Sequence, residues 1–439
     1  MLPDPDPEPH PPAGHGPLPA HLLPDHASIG PDGRLSIAGV DLLDLTAEHG
    51  TPIFVYDEDH LRGRCREAVA AWGGGAAYAS KAFLCRAMAG LVYEEGMSID
   101  VSTGGELHVA RAAGVPGERL VLHGNNKSEA ELDRALGEGV GRIVVDSFDE
   151  IDRLERLAAG TGHRPKVLIR VTPGIEAHTH QFVMTGQDDS KFGFGLASGA
   201  AAEAVARLRR TDSAVDLVGV HAHIGSQVFV LASFEKAVGA LAEFFLPLGL
   251  PELCLGGGLG VAYVDEETAP TIAEWAAAVR AAATAAGIGA GVRLTAEPGR
   301  SVVAAAAVTC YTVGTIKHLP GIRTYVSVDG GMSDNPRPVL YGSGYEAFLV
   351  RAAGAARPRT VTVVGKHCES GDVIVRDAQV PEDIAVGDIL ATPVTGAYGH
   401  SMASTYNKVP RPAVLFVRDA KARVVIRRES LDDLMALDV

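Results

Sequence analysis

Short apolar runs alternate with longer amphipathic segments through the middle of the chain. Runs rich in Val, Ile and Leu, such as residues 143–146, 166–171 and 218–223, are typical of buried strands. The segments between them are rich in Ala, Glu and Arg, and their apolar residues recur with the spacing of a helix. Strand followed by helix, repeated in this way, predicts an α/β fold with a parallel sheet wrapped by helices.

The pattern changes near residue 309. Shorter strands rich in Val and Gly follow, as in residues 325–330 and 423–426, and the helical spacing largely disappears. Residues 309–439 are therefore predicted to form a second, all-β domain with a sandwich-like or barrel-like sheet. The most apolar window, residues 302–308, is far below the roughly 20 residues that a membrane-crossing helix needs. We interpret it as a buried strand and expect no membrane partner.

The N-terminal residues follow neither pattern. Residues 1–27 are rich in Pro, His and Ala and have little periodic hydrophobicity, which predicts a disordered tail. The four histidines in this tail are irregularly spaced among prolines, so we predict no metal site there. Residues 28–56 contain two short strand-like pieces around a helical turn at residues 41–49. The folded chain is predicted to begin with this segment.

Composition and charge narrow the class of protein. At 439 residues the chain is longer than one ordinary core supports, which agrees with two domains. The formal net charge of −15, with no cluster of Lys and Arg, argues against a nucleic-acid partner. Five cysteines without a C-x-x-C pair, and an N-terminus without a secretory signal, predict a cytoplasmic protein in a reducing compartment.

Lys81 belongs to a set of polar and glycine-rich segments that suit one cofactor. Alone, a lysine at the end of an apolar run is typical of a solvated strand terminus. A lysine amine can also form a Schiff base with pyridoxal phosphate, which needs in addition a phosphate cradle and a charged partner for its ring nitrogen. The sequence offers candidates for these needs in the segments 221–227, 256–260, 297–300 and 366–372.

Each of these segments also has a simpler interpretation. His221 and His223 lie two residues apart on an apolar strand, a spacing that suits a metal site or core imidazoles equally well. The glycines at 256–260 would suit a turn without a ligand. Glu297 could form a surface salt bridge, and Tyr398 could belong to the core of the β-domain. No P-loop is present, and the one G-x-G-x-x-A match lacks the strand that a dinucleotide site requires.

Three further strings, at residues 123–127, 174–180 and 329–335, are too specific to arise from composition alone. With these strings and the segment around Cys368, the chain resembles the diaminopimelate decarboxylases, which are pyridoxal-phosphate-dependent enzymes built on an alanine-racemase-like barrel. The resemblance covers the chain from about Leu35 to the C-terminus. Its motifs are long and specific, and the sequence departs from them in small ways only, as at Ser80, where Ala or Val is commoner.

The resemblance implies both a fold and a reaction. Residues 57–308 would form a (β/α)8 TIM-type barrel that binds pyridoxal 5'-phosphate, and residues 28–56 would join the β-domain. The candidate residues at strand ends would then converge on one face of the barrel. The implied reaction is the decarboxylation of meso-2,6-diaminopimelate, at its D-configured centre, to L-lysine and carbon dioxide. The resemblance also implies a homodimer with shared active sites, and an active site that uses no metal.

The resemblance also implies a role for particular residues. Lys81 and Cys368 are the expected catalytic residues: Lys81 would carry the cofactor, and Cys368, from the other subunit, would deliver a proton to the carbanion that decarboxylation leaves. Glu297 would contact the pyridine nitrogen, and His223 would stack on the ring. The remaining expected cofactor ligands are Asp100, Ser226, Gly256, Gly257, Gly258, Gly299, Arg300 and Tyr398. The expected substrate ligands are Arg300, Arg337, Tyr341, Glu369 and Tyr398.

Three rival functions are weighed against this one. A related decarboxylase of ornithine, arginine or carboxynorspermidine would act on substrates without the same distal carboxylate, which Arg337 and Glu369 together argue against. A racemase on the same barrel would use a second acid or base, usually a tyrosine, in place of Cys368. A non-catalytic barrel that only binds the cofactor would not need the β-domain that carries Cys368.

Overall fold

The computed structural model describes residues 16–159, 162, 164–174 and 190–439. Its larger domain is a barrel of parallel strands whose order in the sheet follows the order in the chain, apart from one short strand, Phe194–Gly195 (β10), that pairs with β9. The barrel strands are Ala77–Ala79 (β5), Ser98–Val101 (β6), Leu120–Leu122 (β7), Arg142–Val145 (β8), Lys166–Thr172 (β9), Asp216–Ala222 (β11), Glu252–Cys254 (β12) and Arg293–Thr295 (β13). The predicted α/β barrel is confirmed.

Helices connect the barrel strands and cover them from outside. They are Glu58–Trp72 (α2), Arg86–Glu94 (α3), Gly104–Ala112 (α4), Glu129–Gly137 (α5), Phe148–Ala158 (α6), Ala200–Leu208 (α7), Leu231–Phe245 (α8) and Ile272–Ala285 (α9). The first and last strands meet, since Ala77 N donates to Ala296 O at 2.9 Å and Ala79 N donates to Pro298 O at 3.1 Å. The sheet therefore closes, and the carboxyl ends of all its strands surround the barrel axis at one end of the barrel.

The second domain is a mixed sheet of the strands Ile53–Asp57 (β4), Ala307–Leu319 (β14), Arg323–Val328 (β15), Phe348–Leu349 (β16), Arg359–Val364 (β17), Val373–Val380 (β18), Ile389–Pro393 (β19), Ala413–Arg418 (β20) and Lys421–Ile426 (β21). Their order in the sheet is β18-β17-β15-β14-β4-β20-β21, with β19 paired to β14 and β16. Strand β4 lies between β14, to which it is antiparallel, and β20, to which it is parallel. The N-terminal part of the chain thus contributes a central strand to this domain.

A small sheet and a helix precede β4. The strands Ala27–Ile29 (β1), Leu35–Ile37 (β2) and Val40–Asp41 (β3) pair in sequence order, and Asp41 then caps the helix Leu42–His49 (α1) by accepting from two backbone N–H groups. Leu18 and Leu22 are buried against the rest of the molecule, so the packed chain begins earlier than the predicted end of the tail at residue 27. Residues 1–15 of that tail lie outside the described part.

The sequence predicted that the apolar window 302–308 is a buried strand, and this prediction is wrong. Residues Arg300–Val303 form a short helix (α10), and β14 begins only at Ala307. A run that is apolar on all sides suits a buried helix as well as a buried strand, and periodicity alone does not separate them. A second short helix, Arg337–Tyr341 (α11), lies in the β-domain. Among the described helices, none combines the length and the apolarity that crossing a bilayer requires.

Candidate active site

The carboxyl ends of the barrel strands surround a cavity of about 740 Å³. This volume lies within the range of about 300–1,000 Å³ that small-molecule and cofactor sites occupy. Loops of the barrel form most of its walls, and the β-domain forms the rest. The predicted site residues that line it are Lys81, Asp100, His223, Ser226, Gly257, Gly258, Glu297, Gly299, Arg300, Arg337, Tyr341 and Tyr398.

Lys81 lies in a short turn immediately after β5. The carbonyl oxygen of its neighbour Ala82 accepts hydrogen bonds from Tyr398 N at 2.8 Å and from Ser401 Oγ at 2.9 Å. Both donors belong to the β-domain, so the turn that carries Lys81 is held by both domains. The Lys81 amine forms no ion pair with the residues that the structure describes, which leaves it free to react with a ligand in the cavity.

The glycine-rich segment after β12 passes very close to its neighbours. A Cβ atom on Gly257 would lie 2.2 Å from the carbonyl oxygen of Glu297, so no larger residue fits there. Gly257 N donates to His223 Nδ1 at 3.2 Å. Burial, reinforced by Lys81, lowers the pKa of His223 well below its usual value. His223 is therefore a neutral imidazole whose ring can pack against a flat ligand.

Glu297 lies among buried hydrogen-bond donors. Its Oε2 accepts from His221 Nε2 at 2.9 Å, and its Oε1 accepts from Cys254 Sγ at 3.2 Å and lies 3.2 Å from His123 Nε2. Burial alone would raise the pKa of Glu297, but His221 and His123 lower it well below its usual range. The Glu297 carboxylate is thus ionised in a buried position.

Asp100 extends this cluster on the other side of His123. Asp100 Oδ1 lies 3.6 Å from His123 Nε2. Burial, with the nearby Glu297, raises the pKa of Asp100 to about 7. Burial would lower the pKa of His123, but Glu297 and Asp100 raise it to about 9. At neutral pH a protonated His123 therefore offsets the buried carboxylates.

The same cluster could hold a metal ion. One ligand atom each from His123, His221 and Glu297 lies within 4.8 Å of the other two. Imidazole nitrogen and carboxylate oxygen form a common donor set for transition metals. The expectation that the protein uses no metal stays a prediction.

Arg300 and Arg337 are buried in the wall of the cavity. Arg300 donates to Ser226 Oγ at 3.0 Å and to Tyr263 Oη at 2.6 Å, and Arg337 donates to Tyr345 Oη at 2.5 Å. Neither guanidinium forms an ion pair with an acidic side chain in the described part of the chain. Two buried cations without a counter-charge make this wall a strong site for an anion.

Cys368 and Glu369 lie elsewhere. Both are exposed, and neither lines the cavity of the chain that carries them. Their loop is nevertheless well held: His367 N donates to Asp372 Oδ2 at 2.9 Å, and Cys368 N donates to Asn407 Oδ1 at 3.3 Å. The Glu369 carboxylate accepts from the hydroxyl of Tyr406. A loop with a held backbone thus presents an exposed thiol and an exposed carboxylate on the surface of the β-domain.

Other residues of the cavity wall were not singled out in the sequence. Arg170 could have been found, because it is a charged residue near the carboxyl end of the apolar strand β9. Its guanidinium lies over the ring of Phe192, 4.3 Å from the centroid. Gly256 directly precedes the lining glycines, and the string at residues 174–180 lies, apart from Gly174, outside the described residues. Further lining residues that were not singled out include Phe229, Tyr263, Glu267, Ser343 and Gly344. The segments that the sequence did single out also contribute His123, Asn125, His221 and Gln227.

The chain is similar to known proteins over nearly all of its length. The pyridoxal-binding domain of the pyridoxal-dependent decarboxylases matches residues 58–304. A diaminopimelate decarboxylase of Mycobacterium tuberculosis is 48% identical over 426 residues, which are 93% of this chain and 95% of that protein. The structure of an M. jannaschii diaminopimelate decarboxylase in complex with L-lysine has a TM-score of 0.86 and 31% identity, covering 94% of this chain and 98% of that one. The Helicobacter pylori enzyme complexed with L-lysine has a TM-score of 0.82 and 32% identity, covering 90% and 99%.

Proposed function

The chain belongs to the diaminopimelate decarboxylases within the pyridoxal-dependent decarboxylases, and from this premise we propose that it converts meso-2,6-diaminopimelate to L-lysine and carbon dioxide. The reaction takes place at the D-configured centre of the substrate. The observation that carries the proposal is the pair of buried guanidinium groups, Arg300 and Arg337, in the same cavity as Lys81. A substrate with a second carboxylate, remote from the reacting carbon, supplies the anion that this pair lacks.

The residues of the cavity fit pyridoxal phosphate, the cofactor of the family. Asp100 Oδ1 and Arg300 Nε are buried and have no hydrogen-bond partner among the described residues, and the Glu297 carboxylate is ionised. Lys81 would bind the cofactor, Glu297 would hold its ring nitrogen protonated, and His223 would cover the ring. Backbone N–H groups of the glycine segment, with Ser226 and Tyr398, would hold the phosphate. When bound, the cofactor takes up the electron pair that remains as carbon dioxide departs.

The protein's own residues orient the substrate and move the proton. Arg300 and Arg337 bind the distal carboxylate through paired N–H donors, and the hydroxyl of Tyr341 adds a donor. Cys368 Sγ then donates a proton to the carbon from which the carboxylate has left, acting as a general acid. Glu369 pairs with the distal ammonium. In this proposal Cys368 and Glu369 come from the second subunit of a homodimer.

The exposure of Cys368 and Glu369 supports the homodimer. In one chain the backbone that carries these residues is held by its neighbours, and both side chains lie outside the cavity. A two-fold interface would place them beside the cavity of the partner. We further propose that the protein acts in the cytoplasm, where its free thiols stay reduced.

The proposed reaction is tested by supplying purified protein, loaded with pyridoxal phosphate, with meso-diaminopimelate, ornithine or arginine and measuring carbon dioxide. Release from diaminopimelate, with L-lysine as the second product, is expected to exceed release from the other two at least about a hundred-fold, which is a common ratio for loss of a charged contact. Comparable release from ornithine would favour the related decarboxylases. No release from any substrate would contradict the proposal.

A further inference from the structure

Tyr263 lies between the two arginines and contacts each in a different way. Its hydroxyl accepts from Arg300 Nη1 at 2.6 Å. The face of its ring packs against Arg337, whose guanidinium carbon is 4.1 Å from the ring centroid. Tyr263 is 3% exposed, so water does not compete for these contacts. One side chain therefore fixes the relative position of both guanidinium groups.

Tyr345 completes the arrangement from the β-domain. Its hydroxyl accepts from Arg337 Nη1 at 2.5 Å. Its ring meets the ring of Tyr263 edge to face, with centroids 5.2 Å apart and planes at 75°. Tyr345 is also buried, with 4% exposed. Tyr263 follows β12 in the barrel, while Arg337 and Tyr345 belong to the other domain, so the contact joins the two domains.

Because their partners are tyrosines, Arg300 and Arg337 keep their positive charge. Buried arginines are ordinarily paired with a carboxylate, which cancels their charge and occupies the donors that a ligand would use. Here each arginine instead donates one hydrogen bond to a phenol oxygen. A neutral phenol does not cancel the positive charge of the guanidinium, and the other N–H donors stay available to a ligand in the cavity. Burial raises the pKa of Tyr345 to about 12 although Arg337 opposes this, so the phenol stays neutral at any working pH.

We propose that Tyr263 and Tyr345 are positioning residues that hold Arg300 and Arg337 at the separation and orientation that a distal carboxylate needs, and that they thereby set the preference for a dicarboxylic substrate. The inference rests on the proposed function. Among the described contacts, neither tyrosine touches Lys81. Their loss should therefore change which substrate is bound well and leave the chemical step nearly as it was.

The experiment compares two substrates that differ only at the distal end. D-Lysine has the same D-configured centre and distal ammonium as meso-diaminopimelate but lacks the distal carboxylate. Tyr345→Phe keeps the ring and its edge-to-face contact and removes only the acceptor of Arg337. We expect this variant to raise KM for diaminopimelate about ten-fold with little change in kcat, and to leave kcat/KM for D-lysine unchanged within about two-fold. Tyr263→Phe should act in the same direction through Arg300.

Two comparisons make the test specific. Tyr93→Phe changes a surface tyrosine away from the cavity and should leave both substrates unaffected. In an Arg337→Ala background, Tyr345→Phe should add less than about two-fold to the loss, because the residue that it positions is gone. An equal loss on both substrates, or a full further loss in that background, would assign Tyr345 a purely structural role and overturn the inference.

Equilibrium binding separates this inference from the reaction itself. L-Lysine keeps the carboxylate that is distal in the substrate, whereas cadaverine has none. Calorimetry on cofactor-loaded protein should give a Kd for L-lysine about ten-fold higher in Tyr345→Phe than in the unmodified protein, and an unchanged Kd for cadaverine. This result would support the inference even if no carbon dioxide were released from diaminopimelate. Equal shifts for both ligands, or none, would refute it while leaving a measured decarboxylation intact.

Discussion

At the scale of single residues, the buried groups around Glu297 determine which of them carries a charge. Glu297, Asp100 and His123 are each 9% exposed or less, and the buried His221 donates to Glu297. Their pKa values move apart because each group responds to the others: Glu297 is held ionised, and His123 is held protonated. An ionised carboxylate at this position is what a protonated ring nitrogen requires of its partner.

His123 should therefore make the stability of the cofactor-free protein depend on pH. Its folded pKa of about 9 lies above the unfolded value of about 6.5, so its stabilisation is complete below about pH 6.5 and is lost as the pH rises through 9. Over that interval the loss is on the order of 3 kcal/mol at most. His123→Asn should remove this decline in thermal unfolding, while His318→Asn, on a distant strand, should not. A difference between the unmodified protein and His123→Asn that does not vary with pH would contradict the assignment.

Lys81 should be the lysine that holds the cofactor. Borohydride treatment of the loaded protein, followed by peptide mapping, should place the cofactor mass on the peptide with Lys81 and on no other. Lys127 is the internal comparison, since its buried amine already donates to Glu150 and to the carbonyl oxygens of Gly124 and Val144, each at 2.7 Å. Lys81→Ala should lose the label and nearly all activity. A label on another lysine in that variant would exclude Lys81.

At the scale of secondary-structure elements, the sequence could locate the site because the barrel brings all of its strand ends together. Lys81, Asp100, His223 and Glu297 follow or end separate strands, and topology alone places them on one face. The contact between Tyr263 and Tyr345 could not be predicted in this way, because it depends on how a barrel loop packs against the other domain. The short helix α10 was missed since its apolar residues carry no clear period.

The glycine segment after β12 provides a test at this scale. Gly257→Ala would place a Cβ atom 2.2 Å from the carbonyl oxygen of Glu297 and push the β12 and β13 loops apart. We expect cofactor affinity to fall at least about ten-fold and thermal stability to fall, because overpacking costs about 1–3 kcal/mol. Gly239→Ala in helix α8 is the matched control, since its Cβ would meet nothing within 4 Å. That variant should be neutral or slightly stabilised. Normal cofactor affinity in Gly257→Ala would show that the loops can separate without harm.

At the scale of the whole molecule, the two domains depend on each other to form one complete site. Strand β4 joins the N-terminal part of the chain to the β-domain, and the β-domain holds the Lys81 turn through Tyr398 and Ser401. The same domain contributes Arg337, held by Tyr345, to the cavity wall of its own chain but presents Cys368 outward. The cavity of one chain therefore has every proposed side chain except the proton donor and Glu369.

The proposed sharing of sites between subunits can be tested by mixing inactive variants. Lys81→Ala and Cys368→Ala homodimers should each be nearly inactive. After dissociation and random reassociation, half of the dimers are mixed, and each mixed dimer has one of its two sites intact, so activity should recover to about a quarter of the unmodified value. Mixing Lys81→Ala with Glu297→Gln is the control, because both residues line the cavity of one chain and no intact site can form. Recovery in the first mixture and not in the second requires Cys368 to act across the interface. If subunit exchange is demonstrated and the first mixture stays inactive, Cys368 acts within its own subunit, and the loop that carries it must move to reach the cavity.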